Sequence, residues 1–395
     1  MLSKARIFAK TDTISFFPND QVNYFIIFDY EGRVNFIFNE GKSYRRGFDN
    51  TIICSDVHSF YFLHNKESEV LINESYEVAR YIINSNNFEI HYLGGKQNDV
   101  IDAFEKISNS SYKTILEDVR KFKSIYKPIT ILPPDQYLSL YIPITEGCSY
   151  NKCSFCNLYK DRSFRIRNKK EISLIVEDIA NYFGKTLLTR KGIFLGEGNV
   201  FVESTLRIIE IIKEIKNTLK ENKYLKFDLN NCFYGFMDTF HTRKTRDEIS
   251  LLKDIGVKRI YIGLETGNDF LLSNILLKPS NSENALNTIR TIKDVGISVG
   301  IIIIVGIGGK KYKDKHFEDT VKLIYDMKLS EGDIVYLSPI VEYADSQYKE
   351  IMDKNNIERL NEKETEEEIL RFKRSLSKIE GIKIPIYRVD KFLYA

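Results

Sequence analysis

Apolar and polar positions divide the chain into a strand-rich first part and a second part in which strands alternate with helices. In the first part, residues 23–30 and 34–38 are rich in β-branched and aromatic residues and flank Glu31-Gly32, which predicts a β-hairpin. Further short strands are predicted at 51–54, 59–63 and 88–92, and helices at 75–84 and 97–126. Prolines at 128, 133 and 134 indicate a boundary. Residues 1–130 are therefore predicted to form a smaller α+β domain, with a role either in structure or in substrate recognition.

From residue 138 onward, short apolar runs alternate with amphipathic stretches. Strands are predicted at 138–144, 192–196, 225–231, 258–264, 298–305 and 333–338, with helices at 170–184, 202–220, 245–256, 282–295 and 313–329. Apolar strands that alternate with helices are typical of a parallel sheet with right-handed crossovers. We expect an α/β fold, a six-stranded partial (β/α) barrel over residues 138–345; a flat doubly wound sheet is the alternative.

Residues 346–395 are predicted to form a helical extension of this barrel. A helix at about 362–380 carries charges of both signs with apolar residues at helical spacing, which indicates a solvated face packed on a core. Residues 382–389 fit a last strand, which Pro385 would confine to a sheet edge.

The most informative motif is a group of three cysteines directly after the first barrel strand. Cys148, Cys153 and Cys156 have the spacing C-x4-C-x2-C, and no further cysteine or histidine lies nearby in the sequence. Three thiolates without a local fourth ligand suit a metal centre that keeps one position open, such as an iron–sulfur cluster. The alternatives are a zinc site completed by a distant histidine, or thiols that bind no metal.

The stretch ITEGCSYNKCSFCNLYKDRSFRIR, residues 144–167, resembles the cluster loop of the radical S-adenosylmethionine (radical SAM) superfamily, in a branch with this cysteine spacing. The resemblance implies a [4Fe-4S] cluster on Cys148, Cys153 and Cys156, with S-adenosylmethionine on the unique iron. It further implies reductive cleavage of S-adenosylmethionine to a 5′-deoxyadenosyl radical that abstracts a substrate hydrogen. The commonest spacing in the superfamily is C-x3-C-x2-C, so this loop has one extra residue.

The same resemblance assigns cofactor-binding roles to residues after the barrel strands. Phe155 matches an aromatic residue beside the adenine. Gly196 and Glu197 match the end of a Gly-Gly-Glu stretch that contacts the methionine amino group, with Leu195 in place of the first glycine. Glu265, in the sequence YIGLETGN, matches a polar position that faces the ribose or the substrate. Without the resemblance, the glycines would indicate turns, and Glu265 would be a favourable first-turn carboxylate of a helix. No catalytic residue can be assigned.

Composition and charge narrow the choice of partners. The 58 basic and 55 acidic residues give a net charge of +3, which does not indicate a nucleic-acid partner. No apolar run of about 18 residues suggests a membrane span, and charges interrupt the apolar positions of residues 1–17, so no signal peptide is indicated. Five cysteines, three of them clustered, favour a reducing cytoplasm. Cys54 and Cys232 are interpreted as buried thiols.

The sequence therefore predicts a radical SAM enzyme that acts on a small metabolite or peptide. It would take its electron from an external donor such as a flavodoxin or ferredoxin. A radical SAM enzyme that modifies tRNA is the alternative, for which the stretches 42–47 and 120–127 supply only a modest basic face. A zinc- or iron–sulfur-binding interaction protein without catalysis is the alternative from another class.

Overall fold

The computed structural model describes residues 4–19 and 23–395, which include two large β-sheets. The first sheet has eight strands in the order β7-β6-β5-β4-β3-β2-β1-β8, all antiparallel except for the β1–β8 pair. Its strands are β1 Ala5–Lys10, β2 Thr13–Phe17, β3 Tyr24–Asp29, β4 Val34–Asn39, β5 Lys42–Arg46, β6 Ile52–Ser55, β7 Phe60–Phe62 and β8 Phe88–Leu93. The helices α1 Asn65–Ser85, α2 Gln97–Ser108 and α3 Tyr112–Ile125 bury their apolar residues against one face of this sheet.

The predicted hairpin in this first part is confirmed, because β3 and β4 pair as antiparallel neighbours. Its turn contains Gly32 with φ of +80°, a left-handed conformation that glycine adopts without steric cost. Strands β1, β2 and β5 were not predicted from the sequence. β1 and β5 contain charged residues at their exposed positions, so neither forms a continuous apolar run.

The second sheet has six parallel strands whose order, β9-β12-β13-β14-β15-β16, follows their order in the chain. The strands are β9 Leu140–Pro143, β12 Ile193–Gly196, β13 Phe233–Phe236, β14 Val257–Glu265, β15 Ser298–Val305 and β16 Ile334–Pro339. The helices between them are α4 Lys169–Phe183, α5 Thr205–Leu219, α6 Arg246–Asp254, α7 Ser282–Asp294 and α8 Gly309–Asp326. The predicted six-stranded partial barrel is confirmed, because a doubly wound sheet would reverse its strand order.

The third barrel strand was predicted at the wrong place. Residues 225–231 contain no strand, and β13 begins only at Phe233. The polar residues of this segment form a turn instead, in which the Asp228 carboxylate accepts a hydrogen bond from the backbone N–H of Asn230 at 2.9 Å. Cys232 therefore precedes the strand. It lies at the amino end of the parallel strands, whereas the three clustered cysteines follow the carboxyl end of the first one. It is buried, as expected, with 2% of its surface exposed.

The chain after β16 continues along the barrel. It contains α9 Gln347–Lys354 and α10 Glu362–Leu376, and α10 packs against β15, β16 and α8. Isolated bridges join residues 383 and 386 to β16, which agrees with the edge position expected for 382–389. The predicted division at 130 and 345 stays a prediction, since Phe48 and α3 share one apolar core with the barrel. Within the described part of the chain, no helix combines the length and apolar character that a bilayer span requires.

Candidate active site at the carboxyl end of the barrel

The three clustered cysteines lie on a loop that is closed at its base by a short β-ribbon. We call residues 147–164 the cysteine loop. It runs between β10 Thr145–Glu146 and β11 Arg165–Ile166, which pair as antiparallel neighbours. The Glu146 carboxylate accepts charged hydrogen bonds from Arg165 at 2.8 Å, Arg167 at 2.7 Å and Lys127 at 2.9 Å. Burial alone would raise the pKa of Glu146, but these cations lower it to about 2, so the carboxylate is ionised at neutral pH.

Hydrogen bonds to the segment after β14 fix the middle of the cysteine loop. The Ser154 hydroxyl donates to the Ile275 carbonyl at 2.7 Å, and the Tyr150 hydroxyl donates to the Leu277 carbonyl at 2.7 Å. The backbone N–H of Ser154 donates to the Leu276 carbonyl at 2.9 Å. The loop is thus tied both to its own base and to the segment after the fourth barrel strand, and both sets of hydrogen bonds restrict where the cysteines can lie.

All three cysteines of this loop line one cavity at the carboxyl end of the six-stranded sheet. The three cysteine residues are partly exposed, and burial of the thiol groups raises the pKa of Cys153 to about 12 and that of Cys156 to about 11. Across residues 4–19 and 23–395, no three His, Cys, Asp or Glu side chains form a group suited to a single metal ion. A four-iron cluster is wider than one ion and takes its thiolates from separate positions, so three cysteines around one cavity fit it.

Glu265 also lines this cavity, as the sequence predicted, and it has a partner that the sequence did not indicate. Its carboxylate accepts a hydrogen bond from the ammonium of Lys278 at 2.8 Å, and Lys278 also donates to the Gly263 carbonyl. Burial alone would lower the pKa of Lys278, but Glu265 and then Cys153 raise it, so the lysine is charged. Glu265 has φ of +62°, an unusual conformation for a non-glycine residue.

The other predicted cofactor residues are placed differently from one another. Phe155 lines the cavity and packs on a neighbouring apolar cluster. Gly196 is the last residue of β12, and a side chain at this position would collide with the ring of Tyr141. The glycine therefore makes room for this ring. Glu197 is 3% exposed and does not line the cavity. Its carboxylate instead pairs with Arg162 at 2.7 Å and accepts a hydrogen bond from the Gly147 backbone, which holds it against the cysteine loop.

Sequence reasoning missed several polar residues of this region: Arg162, Asn199, Asp238 and Lys278. Arg162 belongs to the stretch 144–167 without a role that the sequence assigns, and Lys278 is a single basic residue outside any motif. Only the fold brings them to Glu197 and Glu265. Asp238 follows the true third strand and lines the cavity. Correct placement of β13 would have identified Asp238, because polar residues after parallel strands meet at one edge of the sheet.

No described residue of the N-terminal 130 lines this cavity, and the first lining residue along the chain is Ile131. The outer wall comes from the chain after β16 and includes Tyr343, Tyr387 and Val389. The remaining surface is mostly apolar, with aromatic and aliphatic residues from β13, β15 and the loop after β13: Phe236, Met237, Phe240, Ile302 and Ile304. The cavity therefore combines an apolar wall with a few fixed polar groups, as ligand sites commonly do.

Comparison with known proteins agrees with this geometry. Residues 142–324 match the Radical SAM superfamily. This part of the chain is a radical SAM domain. Members of the superfamily use a [4Fe-4S] cluster and S-adenosylmethionine, and they are enzymes. The match begins within β9 and ends within α8, so it includes the cysteine loop, Glu197, Glu265 and Lys278.

Individual relatives of the radical SAM domain are distant. The chain is 24% identical over 261 residues to a tRNA-2-methylthio-N(6)-dimethylallyladenosine synthase of Nitrosomonas eutropha, covering 61% of this chain and 52% of the relative. Coproporphyrinogen III oxidase of Escherichia coli matches at a TM-score of 0.46 and 15% identity, covering 61% of this chain and 52% of the oxidase. Methylornithine synthase matches at a TM-score of 0.40 and 15% identity, covering 82% of this chain and 79% of the synthase. The chain spans about half the length of the first two.

Proposed function

We propose that the chain is a radical SAM enzyme whose [4Fe-4S] cluster is held by Cys148, Cys153 and Cys156. The observation that supports this most directly is the meeting of all three thiols at one cavity, at the carboxyl end of a parallel six-stranded sheet. When bound, the cluster supplies the electron that cleaves S-adenosylmethionine to methionine and a 5′-deoxyadenosyl radical. The protein's own contribution is to hold the thiols in place and to keep water away from the cavity.

In this proposal, two buried ion pairs hold the thiols in place. Arg162 and Glu197 join the cysteine loop to the end of β12, and Lys278 and Glu265 close the side near Cys153. We infer that Glu265 and Lys278 contact the cofactor, because both line the cavity. Glu197 is inferred to act through the loop that it holds. Phe155 is proposed to lie beside the adenine, and its position on the cavity wall next to Cys156 supports this.

The substrate is proposed to be a small metabolite or a peptide side chain with an apolar portion. This follows from the aromatic and aliphatic wall, and from the absence of a basic residue other than Lys278 among the described residues that line the cavity. The segments 339–343 and 387–389 would select it, because they supply the outer wall. For residues 1–130, the predicted alternative of substrate recognition applies only to a ligand large enough to extend beyond the cavity, because none of their described residues lines it.

Modification of tRNA is a second candidate, and it is favoured by the name of the Nitrosomonas eutropha relative. Such a substrate would extend beyond the cavity and bind basic residues outside it. Its binding would weaken steeply as the salt concentration rises, because phosphate contacts release counterions. Salt-independent binding of a small ligand, with no retention of tRNA, would favour the first candidate.

The decisive experiment is to reconstitute the full chain with iron and sulfide under anaerobic conditions and to add dithionite and S-adenosylmethionine. We expect about four irons per chain and the formation of 5′-deoxyadenosine and methionine in equal amounts. A reconstituted protein that carries the cluster and forms no 5′-deoxyadenosine would contradict the proposal. A colourless protein with one zinc per chain would indicate the non-catalytic alternative.

A further inference from the structure

One carboxylate of the cavity wall has no fixed cation beside it. Among the described residues, the charged side chains that line the cavity are Asp238, Glu265 and Lys278. Glu265 and Lys278 neutralise each other, since their charged atoms lie 2.8 Å apart. Asp238 lies in the loop after β13, and its side chain is 12% exposed. Its ion-pair partner in the described chain is His241, whose Nδ1 lies 3.6 Å away and is charged only when the ring is protonated. The cavity therefore carries a negative charge that no permanent cation of these residues balances.

The carboxylate of Asp238 is held in one orientation. Oδ1 accepts hydrogen bonds from the backbone N–H groups of Phe240 at 3.2 Å, His241 at 2.8 Å and Thr242 at 2.9 Å. Oδ2 accepts a hydrogen bond from the side-chain nitrogen of Asn199 at 2.6 Å. Each oxygen of an ionised carboxylate can accept more than one hydrogen bond, so Oδ2 has capacity for a further donor. The side chain is thus a fixed acceptor that can bind a ligand without rearrangement.

Aromatic residues lie on both sides of this carboxylate in the chain and share its cavity. Phe236 precedes Asp238 by two residues, Phe240 follows it by two, and both line the cavity. Tyr150 of the cysteine loop also lines the cavity and packs edge-on against Phe240, with ring centres 5.4 Å apart. The face of an aromatic ring attracts an ammonium group, and a carboxylate adds a charge-assisted hydrogen bond. Rings and an unbalanced carboxylate in one cavity therefore suit a cationic ligand.

We propose that Asp238 binds an ammonium group of the substrate beside the ring of Phe240, an inference that rests on the function proposed above. The substrate class is then a protonated aliphatic amine on an apolar framework. Asp238 would repel an anion, and a neutral hydroxyl would gain an ordinary hydrogen bond instead of a charge-assisted one. Asp238 thereby selects the substrate by its charge, and the apolar wall accommodates the rest of the molecule.

The test compares three probes of similar shape and different charge: cyclohexylmethylamine, cyclohexylmethanol and cyclohexanecarboxylate. Their binding to the reconstituted full-length protein is measured at neutral pH by ligand-detected NMR, with S-adenosylmethionine present and no reductant. We expect the wild type to bind the amine roughly 10-fold more tightly than the alcohol, because an aliphatic amine is protonated under these conditions. The carboxylate should bind most weakly of the three.

Asp238→Asn keeps the size of the side chain and an oxygen for the backbone N–H groups of the turn, and it removes the charge. We expect this variant to bind the amine roughly 10- to 100-fold more weakly than wild type, and the alcohol within about twofold. Asp228→Asn is the matched control. It neutralises an exposed carboxylate that accepts from the backbone of Asn230 at 2.9 Å in the turn before β13, and it should bind all three probes as the wild type does.

Other results would overturn the inference. It is wrong if the wild type binds S-adenosylmethionine but does not prefer the amine over the alcohol. It is also wrong if Asp238→Asn weakens the binding of S-adenosylmethionine by more than about twofold, because the carboxylate then serves the cofactor. If Asp238→Asn does not retain the cluster, Phe240→Leu is judged instead. Loss of this ring should weaken the amine about threefold more than the alcohol, and an equal change for both would contradict the inference.

Failure of the proposed function is recognised before any probe is added. A reconstituted wild-type protein that holds no cluster, or that holds one and does not bind S-adenosylmethionine, would refute the radical SAM proposal and this inference with it. A protein that binds both and shows no charge preference among the probes would refute the role of Asp238 alone.

Discussion

At the scale of single residues, the three clustered cysteines are the feature that the sequence defines best. Their role can be tested by substitution, with a cysteine outside the cluster as the control. Replacement of Cys148, Cys153 and Cys156 by Ala should leave a folded protein that retains no iron after reconstitution, because all three proposed thiolate ligands are lost. Cys232→Ala should retain about four irons per chain, since this buried thiol lies at the amino end of the barrel strands, away from the cysteine loop. Iron and sulfide analysis measures both outcomes. Iron retained by the triple variant would place the cluster on other residues.

The partners of the site residues could not be predicted from the sequence in the same way. A cysteine spacing is a local pattern, and the loop between two strands preserves it in the fold. The pairs Glu265–Lys278 and Glu197–Arg162 join residues 13 and 35 positions apart. Glu197 meets Arg162 because they follow adjacent parallel strands, and Lys278 meets Glu265 because the segment after β14 turns back to the end of that strand. For Glu197, this partner decides the role. The carboxylate is used inside the protein, where Arg162 and the Gly147 backbone hold it against the cysteine loop.

At the scale of elements, hydrophobic patterning located five of the six barrel strands to within about two residues. The exception, residues 225–231, shows that hydrophobic patterning alone does not distinguish a strand from a turn with the same alternation. Its Phe and Leu residues alternate with polar ones as in a strand, but Asp and Asn form turns by hydrogen bonding to their own backbone. The true strand FYGF, residues 233–236, is four residues long and contains a glycine. That glycine is required because a side chain at Gly235 would come within 2.8 Å of Val200.

The ion pairs of the ribbon at the base of the cysteine loop predict how the stability of the protein depends on pH. Glu146 has its pKa lowered to about 2 by Arg165, Lys127 and Arg167. A carboxylate with a lowered pKa stabilises the folded state above its ordinary pKa of 4.5, and this contribution disappears as pH falls toward 2. Glu146→Gln should therefore lower the melting temperature at pH 7, and its difference from wild type should shrink below about pH 4. Thermal denaturation of the metal-free protein measures this.

The exposed Glu177 on α4 provides the control for this prediction, because Glu177→Gln removes a carboxylate that has no ion pair with any described residue. Its melting temperature should match that of the wild type across the same pH range. A Glu146→Gln difference that stayed constant down to pH 2 would mean that the stabilising contacts of Glu146 do not depend on its charge.

At the scale of the whole molecule, the eight-stranded sheet and the barrel are joined by a buried contact rather than by a linker. Arg33 follows the turn between β3 and β4 and is 7% exposed. Its guanidinium donates to the Tyr182 carbonyl at 2.7 Å and to the Asp118 carboxylate at 3.0 Å, and it lies 4.4 Å from the centre of the Tyr182 ring. Phe48 packs nearby against Phe183, with ring centres 5.1 Å apart.

This contact predicts that the two parts of the chain unfold together. Arg33→Met keeps the length of the side chain but leaves the carboxylates of Asp29 and Asp118 without their buried cation. Breaking a buried pair in this way costs about 3–5 kcal/mol, because one charge remains desolvated and uncompensated. The matched control is Arg120→Met, which removes an exposed arginine of the neighbouring helix α3 and should change stability by less than about 0.5 kcal/mol. Urea denaturation followed by circular dichroism gives both values.

If Arg33→Met unfolds in two separate steps, with the barrel transition unchanged, the eight-stranded sheet is an independent unit. A barrel transition that shifts to lower urea together with the sheet would show that the barrel, and with it the cysteine loop, depends on the N-terminal part for its stability.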